Sequence, residues 1–162
     1  KAEKIISELI RTSLNKDCTI DDEVLKFADW NEMINIASAH GLSAIAYDGL
    51  EKALDSNPER RNEIPKTLLL QWYGLCVHQT ALFKKKWKAA CSLSSLLGEH
   101  GIEAVVLKGR SIAQYYPIPE HRYSCDLDLF VAIYRTYTWR PASWQADSEA
   151  CGGLGGVEEA GD

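Results

Sequence analysis

No stretch of this chain reaches the roughly 18–20 consecutive apolar residues that a membrane-crossing helix needs, so nothing in it reads as a membrane segment. It has no signal-peptide block either, because Lys1-Ala2-Glu3-Lys4 leads straight into an amphipathic pattern. The first residue is lysine, which suits a fragment of a longer protein. Positive charge is in deficit. A formal net charge of −5 argues against a protein that coats duplex nucleic acid by charge alone, since that requires many Lys and Arg at phosphates. Zinc-type spacing is missing too. Cys18, Cys76, Cys91, Cys125 and Cys151 form no CxxC and have no histidine at metal-ligand spacing. Their odd number and wide separation suit reduced thiols in a cytoplasmic protein. Finally, lysine is absent after Val131, while Gly152, Gly153, Gly155, Gly156 and Gly161 crowd the segment beyond it.

What is present suffices for a core: 46% of the residues are apolar, close to the globular average. Residues 3–14 put Ile5, Ile6, Leu9, Ile10 and Leu14 on one helical stripe. Asp21 or Asp22 is placed to cap a short helix carrying Val24, Leu25 and Phe27. Asp29 opens another with Trp30, Met33, Ile34 and Ala37, and His40-Gly41 ends it. Residues 43–54 form a further helix, and 55–65, with two prolines, a loop. From Lys66 to about Leu97 proline is absent and Gly74 is the only glycine, so one long helix is expected, ending at Gly98 or Gly101. The triplet Lys84-Lys85-Lys86 reads as its solvated face. The period then changes. Ile102–Leu107 is short, apolar and β-branched, as in a buried strand; residues 109–116 suit a short helix, 117–125 a loop, and Asp126–Val131 a second strand. This divides the chain into a helical region (1–65), a long helix (66–100), the beginning of a catalytic core (101–131) and a poorly ordered or aberrant tail (132–162).

Two features carry chemistry. Asp126 and Asp128 stand in the run Asp126-Leu127-Asp128-Leu129-Phe130-Val131, and i, i+2 residues on a strand share a face. Paired carboxylates repel unless a cation lies between them, and shared carboxylates holding divalent metals suit phosphoryl transfer; Mg2+ or Mn2+ is the expected ion. Upstream, Lys108-Gly109 follows the apolar run Ala104–Leu107. A glycine at a strand-to-helix turn lets a phosphate approach backbone N–H groups; Lys108 adds charge and Ser111 a hydroxyl. Ser111 has no histidine partner in sequence, so it is not expected to be a nucleophile. His78, His100 and His121 have no metal-spaced partners, and Trp30, Trp72 and Trp87 sit at core-like spacing.

The order Leu107-Lys108-Gly109, then Tyr116-Pro117, Pro119 and Arg122, then Asp126-Leu127-Asp128-Leu129 resembles the polymerase-β-like nucleotidyltransferase superfamily, and within it a bacterial family of uncharacterised nucleotidyltransferases. The similarity covers roughly residues 20–131, including the helical stretch 29–50. It implies an α+β fold, with a helical N-terminal region followed by the start of a small mixed sheet with flanking helices. It implies a metal-dependent transfer of a nucleoside monophosphate from an NTP to a hydroxyl acceptor, whether protein, small molecule or RNA. Asp126 and Asp128 would hold the metals, Lys108, Gly109 and Ser111 would stand at the phosphates, and Arg122 would offset phosphate charge.

The superfamily also has a third carboxylate on a later strand. Asp147 and Glu149 follow Val131, but in a context without strand pattern. The expectation is therefore that the reading frame, or the piece of coding sequence joined there, changes near Ala132 and leaves the catalytic domain cut in half. The alternatives are a non-catalytic helical interaction module with a degenerate nucleotide-binding fold, and a sensor that holds NTP without transferring it.

Overall fold

The apolar stripes assemble much as their spacing requires. A computed structural model describes residues 1–15, 17–21, 25, 26 and 28–132. Helix α1 (Ala2–Leu14) buries Ile5, Ile6 and Leu9. Helix α2 (Trp30–Ala39) buries Met33, Ile34 and Ala37. At its start the Asp29 carboxylate accepts from the Glu32 N–H at 3.0 Å, the N-cap bond expected of an aspartate there. Helix α3 (Ser43–Ser56) buries Ala46, Leu50, Ala53 and Leu54, and the two-proline segment after it folds as a 3-10 turn, Pro58–Glu63. Helix α4 runs from Lys66 to Glu99 without interruption. The capped helix expected around Val24 and Phe27, and everything beyond Ala132, lie outside the described residues.

Two helix ends use one device. After α2, Gly41 takes φ +68°, the Leu42 N–H reaches the Ala37 carbonyl at 2.7 Å and the Gly41 N–H reaches Ser38 at 3.2 Å. After α4, Gly101 takes φ +67°, with Ile102 N–H to Leu97 at 2.9 Å and Gly101 N–H to Gly98 at 3.0 Å. Both are Schellman closures, which need a left-handed residue just past the cap. Each follows a histidine cap, and each turns the chain sharply into the next element.

Helices α1 to α3 pack into one apolar core, closed by Trp72 and Cys76 from the first half of α4. The Trp72 indole N–H donates to the Ser43 carbonyl at 2.9 Å, which satisfies the polar atom of a side chain that is otherwise fully buried. Lys52 donates to the Thr12 and Asn15 carbonyls at 3.0 and 2.7 Å, placing a cation on the open carbonyl end of α1.

The second half of α4 carries a small α+β unit. Strand β1 (Glu103–Leu107) pairs antiparallel with β2 (Asp128–Ala132), from Glu103↔Ala132 to Leu107↔Asp128. Between them lie a short helix, α5 (Gly109–Ala113), and a 3-10 turn, Pro119–His121. Phe130 and Val131, on opposite faces of β2, remain 57% and 44% exposed, so neither face of this ladder is fully covered among the described residues. No helix among them is long and apolar enough to cross a membrane.

Candidate functional site

Leu107 is the last residue of β1 because Lys108 leaves the extended conformation: its φ is +50° and ψ −138°. Gly109 continues with φ +38°. A positive φ is unstrained for glycine but costs a side-chain-bearing residue roughly 1–3 kcal/mol in such sparsely populated regions. The turn closes with the Ser111 N–H on the Lys108 carbonyl at 2.8 Å, and the Ser111 hydroxyl donates to the same oxygen at 2.6 Å. The Ser111 hydroxyl is thus exposed, with its proton already engaged.

The short helix stops at Ala113 rather than running to residue 116. The Tyr115 and Tyr116 N–H groups bond three residues back, to Ile112 and Ala113, and Pro117 disfavours helical geometry in the residue before it. With five residues, α5 contributes little macrodipole. A second difference concerns the acids. Asp128 begins β2, but Asp126 lies in the bend before it, outside the strand. Since β1 ends at Leu107, no backbone remains opposite Asp126 to continue the ladder. The pleat therefore does not put the two carboxylates on one strand face.

The structure nevertheless brings the two sequence motifs together. The ladder ends on the Leu107↔Asp128 pair, and Lys108 Nζ lies 3.3 Å from Asp128 Oδ2. Both side chains reach solvent, at 72% and 37% exposure, so the pair adds at most about 1 kcal/mol to stability. Gly109, Arg122 and Asp126 line a small pocket of about 40 Å³ against α4. A Cβ on Gly109 would meet the Ser124 hydroxyl at 3.4 Å, so the turn and the segment before β2 lie in contact.

Lys108 isolates two effects. Lys108→Gly is expected to unfold at a higher urea concentration than Lys108→Ala, by about 1 kcal/mol, because both lose the weak ion pair and only glycine relieves the backbone. Equal midpoints would mean the turn is unstrained.

Several residues that hold the site carry no sequence signal. Lys86, expected on the solvated face of α4, donates to the Ser124 carbonyl and, at 3.0 Å, to that of Cys125. Gln79 donates to the His121 carbonyl at 2.7 Å. His121 Nδ1 lies 2.8 Å from Asp48 Oδ2, which ties the Pro-Arg loop to α3; the carboxylate can only accept, so that nitrogen carries the proton. The Tyr123 ring rests on Gly41, where an added Cβ would come within 2.4 Å of it. These bonds span 42, 38 and 73 residues of chain, and no local pattern encodes them.

A second groove, of about 350 Å³ between α3 and α4, is lined by Tyr47, Asp48, Tyr73, Cys76 and His121 among others. Burial, with the Asp48 charge adding to it, pushes the Cys76 thiol up to about 12, and burial beside Glu51 raises Tyr47 as well. Both stay protonated near neutrality, which removes them as nucleophiles or bases. Among the described residues Cys18, Cys76, Cys91 and Cys125 form no disulfide.

A family model described as uncharacterised nucleotidyltransferase matches residues 27–137. The chain belongs to that family. The matched span covers α2 to β2 together, so the helical layer around Met33 and Trp72 and the turn at Lys108 fall inside one family unit. It also continues past Ala132, where the composition shifts. Membership supports nucleotidyl transfer as the general activity and an NTP as its substrate. No curated protein and no solved structure matches the chain significantly.

Proposed function

We propose that this chain is a divalent-cation-dependent nucleotidyltransferase that moves a nucleoside monophosphate from an NTP to a hydroxyl-bearing acceptor. The observation that carries this reading is the contact of the Lys108-Gly109 turn with the Asp126–Asp128 segment, through the Leu107↔Asp128 ladder pair and the 3.3 Å approach of Lys108 to Asp128. Strain retained at a lysine supports it as well, since a sparsely populated backbone conformation is commonly kept where function requires it.

Asp126 and Asp128 would hold the cation. Their donors are carboxylate oxygens reached by solvent, which suits Mg2+ or Mn2+. Among the described residues no three His, Cys, Asp or Glu side chains cluster to hold a metal. A site of two carboxylates, completed by water and substrate phosphates, is the usual arrangement for Mg2+. Bound there, the ion would neutralise charge on the triphosphate. Lys108 orients Asp128 and adds positive charge, Gly109 keeps the turn open to a phosphate, Ser111 closes the turn through its own hydroxyl, and Arg122 offsets phosphate charge from the pocket wall. In the transfer the acceptor oxygen bonds to the α-phosphorus, the bond from that phosphorus to the bridging oxygen breaks, pyrophosphate leaves and the acceptor loses its proton.

The test is a thermal-shift titration. With Mg2+ and an NTP at about 100 times its Kd, the melting transition is expected to rise by the equivalent of about 2.7 kcal/mol, and with EDTA the rise is expected to vanish. Stabilisation with no pyrophosphate release in the presence of candidate acceptors would favour a sensor. No stabilisation by any NTP would favour the helical interaction module.

A further inference from the structure

The pocket beside Gly109 has cations on several sides, and they differ in what already occupies them. Lys86 is committed to two backbone carbonyls, and Lys108 to Asp128. Among the described residues Arg122 donates only to the Tyr123 carbonyl, at 3.4 Å. Arg110 has no carboxylate or carbonyl partner among the described residues. Its guanidinium carbon instead lies 4.8 Å from the ring centroid of Trp87 and 5.2 Å from that of Phe83. Those rings are one turn apart on the same helix, so both present aromatic surface to the guanidinium as a shelf. Arg110 is half-buried on that shelf and lines the same pocket as Gly109, Arg122 and Asp126.

We propose that Arg110, resting against Phe83 and Trp87, is a phosphate-binding residue of the nucleotide site, directed at the triphosphate or departing pyrophosphate. The aromatic contacts hold the guanidinium by cation–π attraction, and its N–H groups, with no carboxylate or carbonyl partner among the described residues, can pair bidentately with phosphate oxygens. The shelf also removes much of the rotamer entropy that a free arginine would lose on binding. A half-buried cation that forms no ion pair among the described residues gains most from an anion brought by a ligand. The sequence places Arg110 directly after the Lys-Gly pair, but only the packing of β1 and α5 on α4 puts it against Phe83 and Trp87.

This inference rests on the nucleotidyltransferase reading, and calorimetry on the full chain separates the two. Inorganic tripolyphosphate without metal is the first probe, and Mg2+–ATP the second. Arg110→Gln is expected to weaken tripolyphosphate binding about 10- to 100-fold, the range of a lost charge-assisted hydrogen bond. Arg110→Lys is expected to recover only part of that loss, because an ammonium keeps the charge without the planar fork. Trp87→Leu, which leaves Arg110 in place, is expected to weaken the same probe several-fold. Thermal melts of each variant confirm folding, and Arg110→Lys keeps the comparison available should Arg110→Gln fail to fold. Tripolyphosphate binding unchanged in Arg110→Gln and Arg110→Lys overturns the assignment, even where Mg2+–ATP binding stays sensitive to Asp126 and Asp128. A wild-type chain that binds neither probe overturns the nucleotidyltransferase reading itself.

Discussion

Replacing Asp126 and Asp128 together by asparagine is expected to remove Mg2+-dependent NTP binding and to lower nucleotidyl transfer by roughly a thousandfold or more, about 4 kcal/mol of transition-state stabilisation. Asparagine keeps the shape and one oxygen of each side chain but not the charge that holds a divalent ion. The fold is expected to survive. Asp126 is exposed, and the one ion pair lost among the described residues, Asp128 with Lys108, is solvent-screened. The single variants separate the two roles. Asp128→Asn also frees Lys108, so its metal-independent affinity for tripolyphosphate is expected to rise, whereas Asp126→Asn frees no such partner among the described residues. Calorimetry with Mg2+–NTP checks the double variant, and affinity within about threefold of wild type would remove these acids from the site.

The second large effect lies far from the chemistry. Gly49→Ala is expected to destabilise the chain by about 3 kcal/mol or more and to lower its melting temperature by about 10 °C. Gly49 sits mid-way along α3 at the crossing with α1, where an added Cβ would stand 1.9 Å from the Leu9 carbonyl oxygen and 2.6 Å from its carbon. Those atoms are backbone, so no rotamer change relieves the overlap; α1 and α3 must move apart. Their separation would open the layer containing Leu9, Met33 and Leu50, all fully buried. An exposed glycine-to-alanine change in a helix normally stabilises, because glycine is the poorer helix former by about 1 kcal/mol. Gly74, with nothing within 4 Å of its added Cβ, provides that control. Urea melts of the two variants should therefore move in opposite directions. A Gly49→Ala chain as stable as wild type would mean the crossing is looser than its geometry requires.

Much of the fold follows from local rules. The stripes at Ile5, Ile6 and Leu9, the Asp29 cap, the His40-Gly41 closure and the proline-free run from Lys66 correspond to helices, because a 3.6-residue apolar period and capping chemistry act within a few residues of chain. The change of period after Gly101 likewise marks a strand. The second strand is less legible. Asp126-Leu127-Asp128 alternates as a strand does, but pairing decides where a strand begins, and the partner ends at Leu107.

Local sequence supplies the chemistry near the turn: a Lys-Gly pair after one apolar strand, two acids at the approach to another, and an arginine in the loop between them. Packing between distant segments sets how these groups are held and which cations lack an ion pair among the described residues. Antiparallel pairing brings Asp128 to Lys108. Lys86, Gln79 and Asp48 fasten the loop from two helices, and Arg110 rests on the aromatic shelf of α4. Capping and periodicity are written into a few adjacent residues, whereas a hydrogen bond spanning 73 residues exists only once helices have packed and loop-closure entropy has been overcome.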